Sequence, residues 1–149
     1  MEDKDKSLIE EEEEYLSDFI QSADRIITKL RNDISRFKHH NDSIEIINSL
    51  FRGFHNLKSS AYSLRLPTIR RIAHHIEDIL DLLRDKKITY NNEIENLLIE
   101  AVDIIDEILI SLFEKGIEGQ SRVAFIMKLK EFLKEIKKPE EKNINPQNV

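Results

Sequence analysis

The residues with chemical potential lie in one stretch of the chain, LFRGFHNLKSSAYSLRLP, followed closely by TIRRIAHHIEDILDLLR. The first stretch holds His55 with Lys58 three positions later, and the second holds His74 with Glu77 at the same spacing. On a helix with roughly 100° per residue, Ile47, Leu50, Phe54, Leu57, Ala61 and Leu64 form one narrow apolar stripe. His55 falls roughly 130° from the middle of that stripe. Phe51, Lys58, Ser59 and Tyr62 are its neighbours, because residues three and four apart adjoin on a helix surface. The spacing therefore predicts a helix that buries one face and presents an imidazole on the other. On the next helix Glu77 sits roughly 100° from the core centre, on its shoulder, with His74 one turn earlier on the same flank. If the two helices pack antiparallel, Glu77 or His74 can reach the His55 ring. A carboxylate bonded to one ring nitrogen fixes the tautomer and leaves the other nitrogen with a free lone pair. Lys58 adds an ammonium that can stabilise anionic oxygens.

These side chains need a scaffold, and the rest of the chain reads as helices. With 149 residues there is enough chain for one domain with a proper core. Only three glycines and three prolines leave little turn chemistry for an all-β protein. Apolar positions from Leu16 to Phe37 repeat at helical spacing and predict a first helix over about 10–37, after a flexible charged leader at 1–8. The polar KHHND stretch breaks the pattern, and Asp42 or Ser43 can cap a second helix over about 44–65. Pro67 ends that helix and opens a third, to about Lys86. A fourth is expected over 92–115, with Ile104 and Phe113 widening its apolar stripe, and Gly116 and Gly119 ending it. A fifth should run from a Ser121 cap to about Lys137, with Val123, Ile126, Met127, Phe132, Leu133 and Ile136 as its apolar positions. Short connections between helices of this length give an all-α, antiparallel up-down four-helix bundle with an additional fifth C-terminal helix, over residues 9–137. The remainder, 138–149, reads as a polar tail or linker.

Composition narrows the chemistry. There is no cysteine, so disulfides and thiolate chemistry are out. A net charge of −6 argues against a nucleic-acid binder. No apolar run approaches the ~20 residues that span a bilayer, and the acidic start lacks the features of a signal peptide, so a cytoplasmic protein is expected. No glycine-rich phosphate cradle is present, so the domain should bind no ATP itself. A di-metal site would need inward glutamates and histidines, but the inward positions are Leu, Ile, Val and Ala.

FRGFHNLKSSA followed by LRLPTIRRIAHHIEDILDLLR resembles the histidine phosphotransfer domain, most of all the N-terminal phosphotransfer domain of chemotaxis-type histidine kinases. His55, Lys58, Ser60, Ala61, His74 and Glu77 stand at the positions of the family pattern, and the resemblance extends over roughly 9–137. It implies that His55 is a phosphoacceptor, that Lys58 stabilises phosphoryl charge and that Glu77 orients the imidazole, with His74 as further support. Phe51, Arg52, Ser59 and Tyr62 would then form the docking surface. The implied partners are a histidine kinase ATP-binding domain and a response-regulator receiver domain. Those partners would supply ATP and Mg²⁺, and the domain itself is expected to be a monomeric phosphocarrier without a cofactor or metal. One departure stands out: the family's glycine four residues after the histidine is Ser59 here. That change bears on partner choice, and it is the main support for the alternative, an interaction bundle that docks partners through the same face without carrying phosphate. On this reading His75, about 100° round from His74, is a surface residue, and the Arg70–Arg71 pair is either surface charge or a receiver of an acidic regulator face.

Overall fold

Five α-helices and no strands make up the protein in a computed structural model that describes residues 3–137. They are α1 (Asp3–Phe37), α2 (Ile44–Ser63), α3 (Pro67–Arg84), α4 (Asn92–Lys115) and α5 (Val123–Lys137). α2 packs most extensively on α3, α1 lies against α2 and α4, and α3 also meets α4 and α5. Cross-helix contacts fix the directions. Asp33 meets Ser49 and Arg31 meets Asp103, while Asn48 meets Arg84 and Lys58 meets Glu77. Between α2 and α3 the partner numbers fall as one's own rise, and the same holds between α1 and α2, where Leu30 faces Gly53. Glu118, just past the end of α4, meets the start of α3, so successive helices run antiparallel as expected of an up-down bundle, with α5 on the outer side of α3. The polar tail expected at 138–149 lies outside the described residues.

Local chemistry sets most helix ends. The Ser43 hydroxyl accepts from the Ile46 N–H at 3.3 Å and caps α2, and Asn91 does the same for α4 through Ile94 at 2.9 Å. Gly116 closes α4 in the left-handed conformation at φ 71°, a geometry that glycine adopts without a Cβ penalty. α3 lacks a side-chain cap of its own at Leu66. Glu118, from the loop after α4, supplies it instead: its carboxylate oxygens accept from the N–H groups of Thr68 at 3.1 Å and Ile69 at 2.9 Å.

The core follows the apolar stripes. Phe19, Ala23, Ile27, Leu30, Ile34 and Phe37 of α1 meet Leu50, Phe54, Leu57 and Ala61 of α2, the isoleucines of α3 and the apolar face of α4. Three expectations need correcting. The first helix begins at Asp3 instead of near Glu10, so positions 3–8 of the charged leader are helical. Every side chain from Asp3 to Tyr15 is exposed, so this part of α1 extends beyond the bundle on helix propensity and charge alone. Phe113 is 79% exposed and contributes nothing to the core, because α4 ends two residues later and no neighbour reaches its outer face. On α5 the buried positions are Phe125, Ile126, Leu129 and Leu133, while Val123 and Met127 point outward. The phase of so short a helix is set by the surface it packs on, which is mainly α3, with Lys128 reaching across to Glu100 of α4.

One close approach and one polar contact place α2 on α1. Gly53 faces Leu30 so closely that an added Cβ would stand 2.6 Å from Leu30 Cδ2, so any larger residue would force the buried Leu30 side chain to shift. Four residues earlier, Ser49 donates its hydroxyl proton to the buried Asp33 carboxylate at 2.6 Å, and Arg36 approaches the other oxygen at 3.7 Å.

Candidate functional site

Burial of Phe54 and Leu57 pins the inner face of α2, which leaves His55 outward between them in sequence. Its ring is about half exposed, with 51% of the side chain accessible. Nδ1 turns inward and lies 3.4 Å from Glu77 Oε2, a long hydrogen bond. A carboxylate can only accept, so Nδ1 carries the proton and the lone pair of the neutral ring resides on Nε2. That nitrogen has no hydrogen-bond partner among the described residues.

Glu77 itself differs from the expected shoulder position. It is buried at 5% exposure, one of two buried charged residues among those described. The α2–α3 contact is close enough that α2 side chains cover the shoulder of α3. The cover is chemical as well as steric: Lys58 places its ammonium 2.7 Å from Oε1 and 2.9 Å from Oε2. Lys58 is thus engaged with Glu77, a contact that the spacing along α2 alone does not reveal. A buried carboxylate without this partner would be strongly unfavourable. The three groups form one unit, with the ammonium holding the carboxylate and the carboxylate aiming the imidazole.

A second set of contacts approaches from the other side. The Phe51 ring stacks near-parallel to His55, with centroids 6.0 Å apart and planes 12° apart. Arg84 of α3 lies over Phe51, its Cζ 4.9 Å from the ring centroid. The guanidinium is tied to Asp81 and donates to Asn48 Oδ1 at 3.4 Å. Sequence reading missed Arg84, although it follows Glu77 by two helical turns on the same element and so shares its face.

His74 does not reach His55. It is exposed, and its Nε2 lies 3.8 Å from Asp78 Oδ2 one turn along α3. Its neighbour His75 is not a plain surface residue: its Nδ1 is buried without a hydrogen-bond partner, and its ring sits 5.5 Å from that of His74. Burial, reinforced by the nearby charges of His74, Lys130 and Lys137, outweighs Asp78 and lowers the His75 pKa below its ordinary value. Arg52, Ser59 and Tyr62 are all exposed, Tyr62 with Arg70 5.9 Å from its ring centroid.

The comparison with known proteins agrees with this geometry. The family model described as the Hpt domain matches residues 14–108, which include both helices of the site. The chain belongs to the Hpt domain family. It is 30% identical over 123 residues to the chemotaxis protein CheA of Borreliella burgdorferi, covering 83% of this chain and 14% of that protein. The chain therefore spans about one-seventh of the length of the curated relatives it matches. Among solved structures, the phosphorylated P1 domain of CheA3 in complex with CheY6 from R. sphaeroides superposes with a TM-score of 0.74 at 21% identity, over 83% of this chain and 98% of that one. The CheA phosphotransferase domain from Thermotoga maritima gives 0.66 at 24% identity, over 68% and 96%. At those identities the solved structures speak for the Hpt fold. Among the described residues, no helix is long and apolar enough to cross a membrane, and no group of three or more potential ligands could hold a metal ion.

Proposed function

We propose that this Hpt domain is a phosphocarrier of a chemotaxis-type two-component relay, with His55 as the phosphoacceptor. The observation that carries the reading is the orientation of one imidazole: Nδ1 directed at a buried carboxylate, Nε2 left outward with its lone pair. In loading, Nε2 attacks the γ-phosphorus of ATP held by a kinase domain; the N–P bond forms as the bond to the ADP oxygen breaks. In unloading, an aspartate oxygen of a receiver domain attacks the same phosphorus and the N–P bond breaks, returning the electron pair to Nε2. Nδ1 keeps its proton throughout, and Glu77 stabilises the positive charge that the ring acquires when Nε2 is phosphorylated. Lys58 holds Glu77 in place and lies one turn from His55, near enough in sequence to exchange part of its contact for phosphoryl oxygens.

Nucleotide and Mg²⁺ belong to the partners on this reading, and the domain acts as a cytoplasmic carrier and not as a complete enzyme. The relative from Borreliella is named a chemotaxis protein, and the R. sphaeroides structure pairs a phosphorylated P1 domain with CheY6. Both support placement between a kinase and a receiver. Incubation with a cognate kinase domain and ATP should give an acid-labile, base-stable adduct that His55→Gln abolishes. Label that survives this substitution sinks the assignment.

A further inference from the structure

Beside the site, and leading away from it along α2 and the start of α3, runs an open groove of about 660 Å³. Lys58 and Ser59 line the end near His55, and Tyr62, Arg70, Arg71 and His74 line the rest. No acidic side chain lines it, in a chain whose net charge is −6. Neither Arg70 nor Arg71 has an ion-pair partner among the described residues; Arg25, Arg52 and Arg65 likewise have none there, but of these five only Arg70 and Arg71 line the groove. Their position adds to this. Both arginines stand at the N-terminal end of α3, where the helix dipole already contributes positive charge and where acidic residues would stabilise the helix. Local stability is thus set against two unpaired cations, and the cap carboxylate comes from Glu118 in a distant loop. Arg70 also lies against the ring of Tyr62, itself 69% exposed, and exposed tyrosine with arginine is the composition of an interface anchor.

We infer that this groove is a docking subsite for an acidic surface of the phosphoryl acceptor, and that it separates acceptor from donor by charge. The inference rests on the phosphocarrier reading above. A domain that donates from ATP must surround a polyphosphate with cations, so its face at the transfer point is positive. A domain that accepts on an aspartate and binds Mg²⁺ through carboxylates must present a negative face. A basic groove one turn from the phosphorylated nitrogen attracts the second and gains nothing from the first. It would also make acceptor association fast at low salt and slower as salt screens the charges.

The test uses the 149-residue chain with both arginines reversed, Arg70→Glu with Arg71→Glu, and a second variant with both changed to lysine. Circular dichroism checks the fold, since neither side chain is in the core. Loading of His55 by the kinase domain should change by less than about twofold in both variants. Transfer to the receiver at subsaturating concentration should fall about tenfold or more in the glutamate variant, with a shallower salt dependence, and recover largely in the lysine variant. At saturating receiver the rate should return toward that of the native chain. Transfer that is unchanged, or loading that falls as far as transfer, overturns the inference. So does a native chain that sediments as a dimer which the reversal dissociates without slowing transfer, because the groove would then hold a second copy. Absence of any label on native His55 is a separate failure, that of the phosphocarrier reading; titration of the receiver into unlabelled native and reversed chains still reports whether the groove binds it.

Discussion

α2 receives a buried carboxylate from each of its two main neighbours, and the two are put to opposite uses. Asp33 of α1 is 2% exposed and Glu77 of α3 is 5% exposed. Asp33 accepts a short bond from the Ser49 hydroxyl and has only the edge contact of Arg36 beside it. No imidazole or other nucleophilic nitrogen adjoins that carboxylate, and its effect is to fix the register of α1 on α2 next to the close approach at Gly53. Glu77 is held instead by a full ammonium and passes its remaining capacity to an imidazole that is half exposed. A buried carboxylate closed by a hydroxyl is a structural pin, whereas one shared between a lysine and an outward histidine aims an imidazole whose far nitrogen is left open, as the proposed phosphoacceptor role requires. Burial alone does not distinguish them; the partner on the far side does.

The sharpest break of this contrast is Glu77→Gln, which preserves volume while removing the charge. The amide can present its NH₂ to Nδ1, which would move the ring proton to Nε2 and remove the lone pair on which the proposed attack on phosphorus depends. Lys58 loses its counter-charge at the same time. Loading of His55 should slow by about ten- to a hundredfold, in line with the loss of an orienting carboxylate elsewhere. Nitrogen chemical shifts of the His55 ring should show the tautomer change while the helical signal remains. An unaltered rate would remove Glu77 from the mechanism and leave it a second pin.

Asp33→Ala should do the reverse. It leaves the half-buried Ser49 hydroxyl without its charged acceptor, which costs about 1–3 kcal/mol in denaturant unfolding. Per folded molecule, phosphorylation of His55 should be unchanged, because the α2–α3 contact does not involve Asp33. A loss of transfer rate at full folding would mean that the register of α1 governs the site and that the division between the two carboxylates is wrong.

How far these roles could be read in the sequence depends on what each one needs. The stripe through Leu50, Phe54, Leu57 and Ala61 is a property of one helix, so periodicity exposes both it and the outward position of His55. The pairing with Glu77 needs only antiparallel neighbours and spacing along each helix, and the geometry brings the two groups within 3.4 Å. The depth of Glu77 was not legible, because a shoulder residue is buried or exposed according to the side chains of the helix opposite. The same holds for Asp33 with Ser49, for Glu118 on the α3 terminus, and for the inner face of α5, all of which require a register between segments distant in sequence. The extension of α1 to Asp3 escaped for another reason: its first turns bury nothing, so no apolar period marks them.

A third partly buried ionisable group tests the contrast at its smallest scale. His75 has neither a hydroxyl nor a counter-charged partner on its buried Nδ1, so it behaves as neither a pin nor an aimed group. Its pKa is lowered in the folded protein, first by burial and then by His74, Lys130 and Lys137, against the opposing pull of Asp78. The unfolded chain therefore binds the proton more readily than the folded one. As pH falls through the ordinary histidine range near ~6.5, protonation favours unfolding, and the loss levels off once the folded form also protonates. Above that range the residue has no such effect. His75→Gln should therefore reduce the drop in denaturation midpoint between about pH 8 and about pH 5, with little change at the upper end. An equal drop in the variant would show that the buried His75 ring is not the source of the acid sensitivity, and the third group would then fall outside the contrast altogether.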